Sequence, residues 1–270
     1  MNTLGHIRNL ANKIYPVTIK KTLTHYIESH DDVDTILLIN NPIGILLGKN
    51  EIVTCFLEFY NEGKKIGEIK KELQPLGSIH IPVSSLNLGI IKNGLVVLNF
   101  KLSKSQQKEL PQIHFYYFVA YHNKSLNSYA YVHTMDGLQF RIGRPWWWKG
   151  KSQLELKASQ TKIYSSRLIP LYKLDYIWCS IPNATLLDCN VKIFLSLINE
   201  ETLNLEFQIE HSLTVKALSA CRFDLTSLIP VQFKDKKYGI NLAALGAPTE
   251  NQYPYIFSQH AGGNFAVHHI

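Results

Sequence analysis

Histidine is the residue type whose positions first suggest chemistry in this chain. His122 and His133 lie in one aromatic segment, FYYFVAYHNKSLNSYAYVHTM, and His260 and His268 lie in another, YPYIFSQHAGGNFAVHHI. Imidazole is the commonest transition-metal ligand, so this recurrence makes a divalent metal site one interpretation. If residues 261–264 form a hairpin loop, however, His260 and His268 are separated by about 10 Å along the strands, too far for one ion. We therefore predict structural histidines and no cofactor, and keep a metal site as the alternative.

A second candidate site is the run of Arg144, Trp146, Trp147, Trp148 and Lys149. Aromatic ring faces flanked by cations can stack on a sugar ring or a base and pair with an anionic group. These five residues are therefore the predicted ligand-binding site. Tryptophan is also favoured at membrane interfaces, and a buried wedge between two domains would use the same aromatic area. All three interpretations stay open at this point.

Motifs of known catalytic chemistry do not occur in the sequence. It has no GxSxG nucleophile elbow and no HExxH, and Gly48-Lys49 lacks the upstream glycine of a Walker A loop. The formal charge of +7 is not concentrated in an arginine-rich run, so nucleic acid is not an expected partner. The sequence favours a non-catalytic binding or interaction protein with a carbohydrate or protein partner at a domain junction or on the aromatic hairpins. An enzyme with a histidine-containing site is the alternative.

The elements that would position these residues are predicted to be short antiparallel strands. A pattern of strand, polar turn, charged strand and small-residue turn runs from Val53 to Leu86 and recurs from Lys192 to Leu228. The stretch from Phe59 to Leu86 is similar to strand pairs of immunoglobulin-like and rhodopsin-transducer-like sandwiches. We predict an all-β fold of two tandem, related sandwiches of jelly-roll or immunoglobulin-like type. Their expected bounds are residues 33–142 and 173–270, joined by a tryptophan-rich connector at 143–172.

Residues 1–32 are predicted to form an amphipathic helical segment. Leu4, Ile7 and Leu10 fall at helical spacing, and a second apolar stripe follows Pro16. Such a segment would pack on the first sandwich or lie on an anionic membrane surface through residues 1–30. The cysteines have no zinc-site spacing, and no apolar run is long enough to span a bilayer. The expected location is therefore cytoplasmic, with peripheral membrane association as a further alternative.

Overall fold

The computed structural model describes residues 18–41, 43–44, 48–102, 117–133, 138–142, 163–185, 187–234, 236–246 and 254–269. The described part of the chain is an all-β protein with antiparallel pairing throughout. The strands of the first half are β1 (Thr18–Ser29), β2 (Val33–Asn40), β3 (Val53–Asn61), β4 (Lys64–Leu73), β5 (Ser78–Pro82), β6 (Ile91–Lys101), β7 (Phe118–Asn123), β8 (Ser128–His133) and β9 (Leu138–Ile142).

The second half also contains nine strands within its described residues. Its strands are β10 (Ile163–Ser165), β11 (Ile169–Pro170), β12 (Leu174–Asn183), β13 (Cys189–Asn199), β14 (Leu205–Val215), β15 (Ser219–Asp224), β16 (Tyr238–Leu245), β17 (Tyr255–His260) and β18 (Asn264–His269). Short 3-10 turns follow β5 at Val83–Leu86 and follow β15 at Thr226–Leu228 and Val231–Phe233.

Several strand pairings recur in the two halves, although in the first half β1 also pairs with β2 and β9, so that all nine strands form one sheet. In the first half β4, β3, β6 and β1 are hydrogen-bonded in that order, and β5, β2, β7 and β8 form the other run. In the second half the runs are β14, β13, β16 with β10 and β11, and β15, β12, β17 and β18. Residues 163–165 and 169–170, inside the predicted connector, therefore belong to a sheet of the second half.

A buried asparagine occupies the same place in each half. Asn41 follows β2, and its side-chain amide donates to the carbonyl of Leu73 at the end of β4. Asn183 ends β12, and its amide donates to the carbonyl of Val215 at the end of β14. Both side chains are fully buried. Because an unpaired buried carbonyl is costly, each asparagine ties together the ends of two strands that do not pair with each other.

The predicted N-terminal helix is wrong for the residues that the structure describes from Thr18 onward. Thr18–Ser29 is the strand β1, which pairs with β6, β9 and β2. Ile19, Leu23 and Tyr26 matched a helical stripe only by spacing, and the long-range partners of the strand decided its conformation. Residues 1–17 lie outside the described residues. Among the described residues there is no helix of the length and apolarity needed to cross a membrane.

Candidate functional site

The predicted ligand-binding residues cannot be located in the described part of the chain. Arg144, Trp146, Trp147, Trp148 and Lys149 all lie outside it. Their role as a ligand site therefore remains a prediction. The four candidate histidines and the hairpins that carry them do lie in the described part of the chain.

The hairpin of β17 and β18 places His260 and His268 further apart than expected. His260 pairs with Asn264 and His268 pairs with Ile256, so the turn is the three residues from Ala261 to Gly263. Gly262 and Gly263 have φ angles of 99° and 88°, a conformation that lets glycine close this shorter turn. Four residues along a strand separate the two imidazoles by about 13 Å. Neither the described strands nor their turns bring together three or more metal-ligating residues.

His260 and His268 are not the structural counterparts of His122 and His133. His122 pairs with Tyr129 and His133 with Phe118, and both strands lie beside β2 in the order β2, β7, β8. At the matching positions of the second half, Gln259 pairs with Phe265 and Tyr255 with His269. The sequence correspondence with His260 and His268 is therefore shifted by one residue. Such a shift moves a side chain to the other face of the sheet.

The outer side of β7 and β8 is an exposed aromatic surface. Phe118 and Tyr129 are each 44% exposed and Tyr131 is 61% exposed. The imidazole of His122 stacks on the ring of Tyr129, with centroids 4.2 Å apart and planes 4° from parallel. With Leu38 of β2 and His80 of β5, these side chains continue across four strands. We call this outer side of β5, β2, β7 and β8 the open face.

The open face differs from other exposed sheet surfaces of the molecule in its charge. Its outward positions contain no lysine, arginine or glutamate, and the carboxylate of Asp34 accepts hydrogen bonds from Ser29 and Ser84. By contrast, Lys65 pairs with Glu58 and Glu68 on β3 and β4. Charged side chains normally cover solvent-facing strands, and an uncharged apolar patch marks an interaction surface.

The corresponding face of the second half is buried against the first half. On β12, β17 and β18, Trp178, Tyr255, Phe257 and Phe265 are all buried. Tyr255 stacks on His25 of β1 with ring centroids 4.7 Å apart. The register of the hairpins places Tyr255 and Phe265 where Phe118 and Tyr129 lie in the first half. The same sheet face thus occurs in both halves. In the second half it is covered by the first half, and in the first half it is exposed.

A buried carboxylate organises the junction between the halves. The Oε1 atom of Glu28 accepts hydrogen bonds from the Tyr26 hydroxyl and, at 3.3 Å, from Trp178 Nε1. Its Oε2 atom accepts from Arg222 at 2.7 Å and lies 2.9 Å from His30 Nε2. Burial, followed by the nearby Glu28 charge, raises the pKa of Tyr26 well above its usual value, which keeps the phenol a donor. The cluster therefore joins first-half residues to Trp178 and Arg222 of the second half.

The hydrogen-bonding groups of this cluster are paired with one another. Two carboxylate oxygens offer about four acceptor positions, and four donors approach those of Glu28. His30 Nδ1 accepts the backbone N–H of Asp32 at 3.3 Å, so both nitrogens of that ring are engaged. A general base needs a free lone pair directed at its substrate. The geometry therefore fits a structural lock between the halves.

Neither Glu28 nor Arg222 is among the candidate residues predicted from the sequence. Glu28 lies in the strand segment LTHYIES, and its near neighbours Tyr26 and His30 form no motif that would mark it as functional. Arg222 lies 194 positions away and carries no motif. Only the pairing of β12 with β15 brings its side chain back to the end of β1. A long-range ion pair of this kind leaves no spacing signal in a single sequence.

Comparison with known proteins adds no family assignment. No protein-family model matches the chain, and no curated protein matches it in sequence. Among solved structures, the chain is similar to part of the crystal structure of red sea bream transglutaminase, with 8% sequence identity and a TM-score of 0.16. The match covers 100% of this chain, which spans 34% of that structure. A likeness at this level supports no inference about function.

Proposed function

We propose that this chain is a non-catalytic interaction protein that binds a protein partner on its open face. The observation that carries the proposal is the exposed aromatic array of Phe118, Tyr129 and Tyr131 on a surface without formal charge at its centre. Tyrosine and phenylalanine bury large areas at interfaces with little loss of side-chain entropy. Because the same face of the second half packs against a β-sandwich, a folded β-sandwich is the proposed partner.

A protein partner accounts for the ring geometry better than a carbohydrate. A sugar stacks on an aromatic ring whose face is open to solvent. At Tyr129 one ring face is covered by the imidazole of His122, 4.2 Å away. The neighbouring rings of Tyr129 and Tyr131, with centroids 6.4 Å apart, resemble the side chains that interdigitate between two packed sheets. Carbohydrate binding is therefore the competing function that the glycan array described below tests.

We also infer that the two halves arose by duplication of one sandwich. The matched strand pairings and the equivalent hydrogen bonds of Asn41 and Asn183 support this origin. Divergence then left one copy of the shared face covered and the other free to bind. All four cysteines are free thiols, which supports our proposal of a reducing, cytoplasmic setting.

Site-directed photocrosslinking in the cells that produce the protein tests the proposed function. Tyr131 is replaced by a benzophenone-bearing phenylalanine, and Lys192, on an exposed charged strand, receives the same group as a control. We expect a discrete crosslink from position 131, to a residue in a β-sandwich domain, and none from position 192. A glycan array probed with the wild-type chain and Tyr131→Lys provides the second arm. No specific crosslink from position 131, or glycan binding lost in Tyr131→Lys, would overturn a protein-binding function.

A further inference from the structure

The strands at the edges of the sheets differ in how their free side is protected. An exposed edge is a template for pairing with another strand, and proteins protect it with short strands, lysine, proline or bulges. The edge strands β5, β8, β9, β15 and β18 are five or six residues long, and β10 and β11 are shorter still. The ten residues of β4 include Lys64, Lys65, Lys70 and Lys71. Each of these edges therefore carries one of the protective features.

The edge strand β14 lacks these protections over most of its length. Among the described strands it pairs only with β13, and its eleven residues, LEFQIEHSLTV, include no lysine, arginine or proline. From Phe207 to Val215 its pairing with β13 has no register shift. The side chains of Phe207, Ile209 and Leu213 are only partly buried against the core of the second half. A further strand beside β14 would bond its free backbone groups and cover these apolar side chains.

We propose that two copies of this chain associate edge to edge, with β14 of one copy antiparallel to β14 of the other. Both copies contribute the same strand, so the contact is isologous and closes as a twofold dimer. Main-chain hydrogen bonds then join the sheet of β14, β13 and β16 in one copy to the same sheet in the other. This edge is separate from the open face, so the inference goes beyond the proposed function and does not depend on it.

The charges of β14 restrict the register of this pairing. A twofold axis at Glu210 would place the two Glu210 carboxylates opposite each other, and an axis at Gln208 would oppose Glu206 to Glu210. Like charges directly opposite each other are destabilising. An axis at Ile209 instead places Gln208 opposite Glu210 and Ser212 opposite Glu206, so each carboxylate meets a hydrogen-bond donor. The two Ile209 side chains then meet on the apolar side of the strands.

The first half of the chain limits pairing at the other end of β14. A Cβ atom added to Gly63, in the turn between β3 and β4, would lie 3.0 Å from the carbonyl oxygen of Ala217. An axis at His211 would move the second copy toward this turn. The axis at Ile209 keeps the paired segment between Leu205 and Leu213, away from it.

Gln208→Glu and Gln208→Lys test the proposal because they should change dimerisation in opposite directions. In the proposed register Gln208→Glu opposes two carboxylates, and Gln208→Lys opposes an ammonium to a carboxylate; the twofold axis repeats each pair. Asn190→Glu, at an exposed position of β13 one strand away from the edge, is the matched control. All these side chains are exposed, so circular dichroism should show an unchanged fold. Sedimentation velocity over a concentration series then gives the dissociation constant of each dimer.

We expect the wild type and Asn190→Glu to form dimers and nothing larger. Gln208→Glu should dimerise about fivefold more weakly and Gln208→Lys more tightly than the wild type. A wild type that stays monomeric up to its solubility limit, or equal weakening by both substitutions, would overturn the proposal. Tyr131→Lys, on the open face, should dimerise like the wild type. Loss of the dimer in Tyr131→Lys would assign the association to the open face, which refutes the β14 contact and leaves the proposed function standing.

Disulfide crosslinking locates the twofold axis. Gln208→Cys and Glu210→Cys both place a thiol at an exposed position. With the axis at Ile209, an equal mixture of the two variants should form a linked dimer faster than either variant alone, because position 208 lies opposite position 210. The wild type, whose cysteines are free thiols, controls for crosslinks through its own residues. Fastest crosslinking of Glu210→Cys with itself would contradict this register.

Discussion

The guanidinium of Arg222 lies 2.7 Å from the carboxylate of Glu28, although 194 positions separate the two residues in the chain. Arg222 also lies over the ring of Trp178, at 4.4 Å from its centroid. The two contacts come from opposite halves, so one side chain bridges a charge of the first half and an aromatic ring of the second. The Glu28 side chain is fully buried, so these partners stabilise its charge in place of water.

Replacing Arg222 with methionine should strongly destabilise the protein. The substitution keeps an apolar stem on Trp178 but leaves the buried Glu28 carboxylate without its cation. Removing one member of a buried ion pair lowers the free energy of unfolding by about 3–5 kcal/mol. Because the Arg222 side chain is partly exposed, we expect a decrease of about 3 kcal/mol. Urea denaturation measures the change in the free energy of unfolding.

The matched control for Arg222 is Lys192→Met, which removes an exposed partner of Glu210. An exposed pair contributes about 0–1 kcal/mol, so this variant should unfold close to the wild type. Adding Glu28→Gln to Arg222→Met should recover part of the loss, since the uncompensated charge is then gone. Equal stabilities for Arg222→Met and Lys192→Met would contradict a locking role for the pair.

Replacing either Asn41 or Asn183 should lower the free energy of unfolding. Asn41→Ala removes the donor to the buried carbonyl of Leu73 and the acceptor for the buried backbone N–H groups of Ile43 and Gly44. Each unsatisfied buried group costs about 1–3 kcal/mol, so we expect a loss of at least ~2 kcal/mol in chemical denaturation.

The same substitution in the second half provides an internal comparison. Asn183→Ala removes donors to Leu187 and Val215 and should destabilise by a similar amount. Asn190→Ala, where the side chain accepts one exposed hydrogen bond from Thr214, should change stability by less than about 0.5 kcal/mol. A loss of stability in Asn183→Ala as small as that in Asn190→Ala would show that Asn183 does not stabilise the second half as Asn41 stabilises the first.

The all-β class was predictable from sequence because alternation and turn residues are local signals. The strand β3, VTCFLEFYN, alternates buried and exposed positions along most of its length. The strand β1 was not predictable in this way. From Leu23 to Ser29 six of seven residues are buried, because β1 is covered on both sides, so the alternation that marks a half-exposed strand is missing.

The candidate site was predictable only in part. The aromatic hairpins were identified from composition, and their histidines were named, but the face each residue occupies depends on turn length. A turn one residue shorter than expected placed His268 opposite Ile256. The difference between a covered and an open copy of one sheet face arises from contacts between the halves, which no local pattern encodes.

Gly94 on β6 should not tolerate a side chain. An added Cβ would lie 2.3 Å from Ile91 Cγ2 and 2.9 Å from the carbonyl oxygen of Ile27, beside the irregular pairing of β1 with β6. Overpacking of this kind costs about 1–3 kcal/mol, so Gly94→Ala should lower the thermal midpoint clearly. Gly67→Ala is the control, because its Cβ would meet only the flexible end of Leu88. A Gly94→Ala variant as stable as Gly67→Ala would mean that β1 and β6 are not packed this closely.

The cysteine thiols should be unreactive in the native protein. Burial raises the pKa of Cys55 and of Cys189 to about 11, and it raises the pKa of Cys179 and Cys221 as well. A raised pKa leaves fewer thiolates at pH 8, and the thiolate is the form that reacts. We expect slow reaction of all four cysteines with a disulfide reagent at pH 8 and complete reaction once guanidinium unfolds the chain. Lys192→Cys, at an exposed position, should add one thiol that reacts at once and so verifies the reagent. Rapid labelling of Cys179 in the native wild type would show that the core of the second half opens readily, since that thiol is fully buried between β15 and β17.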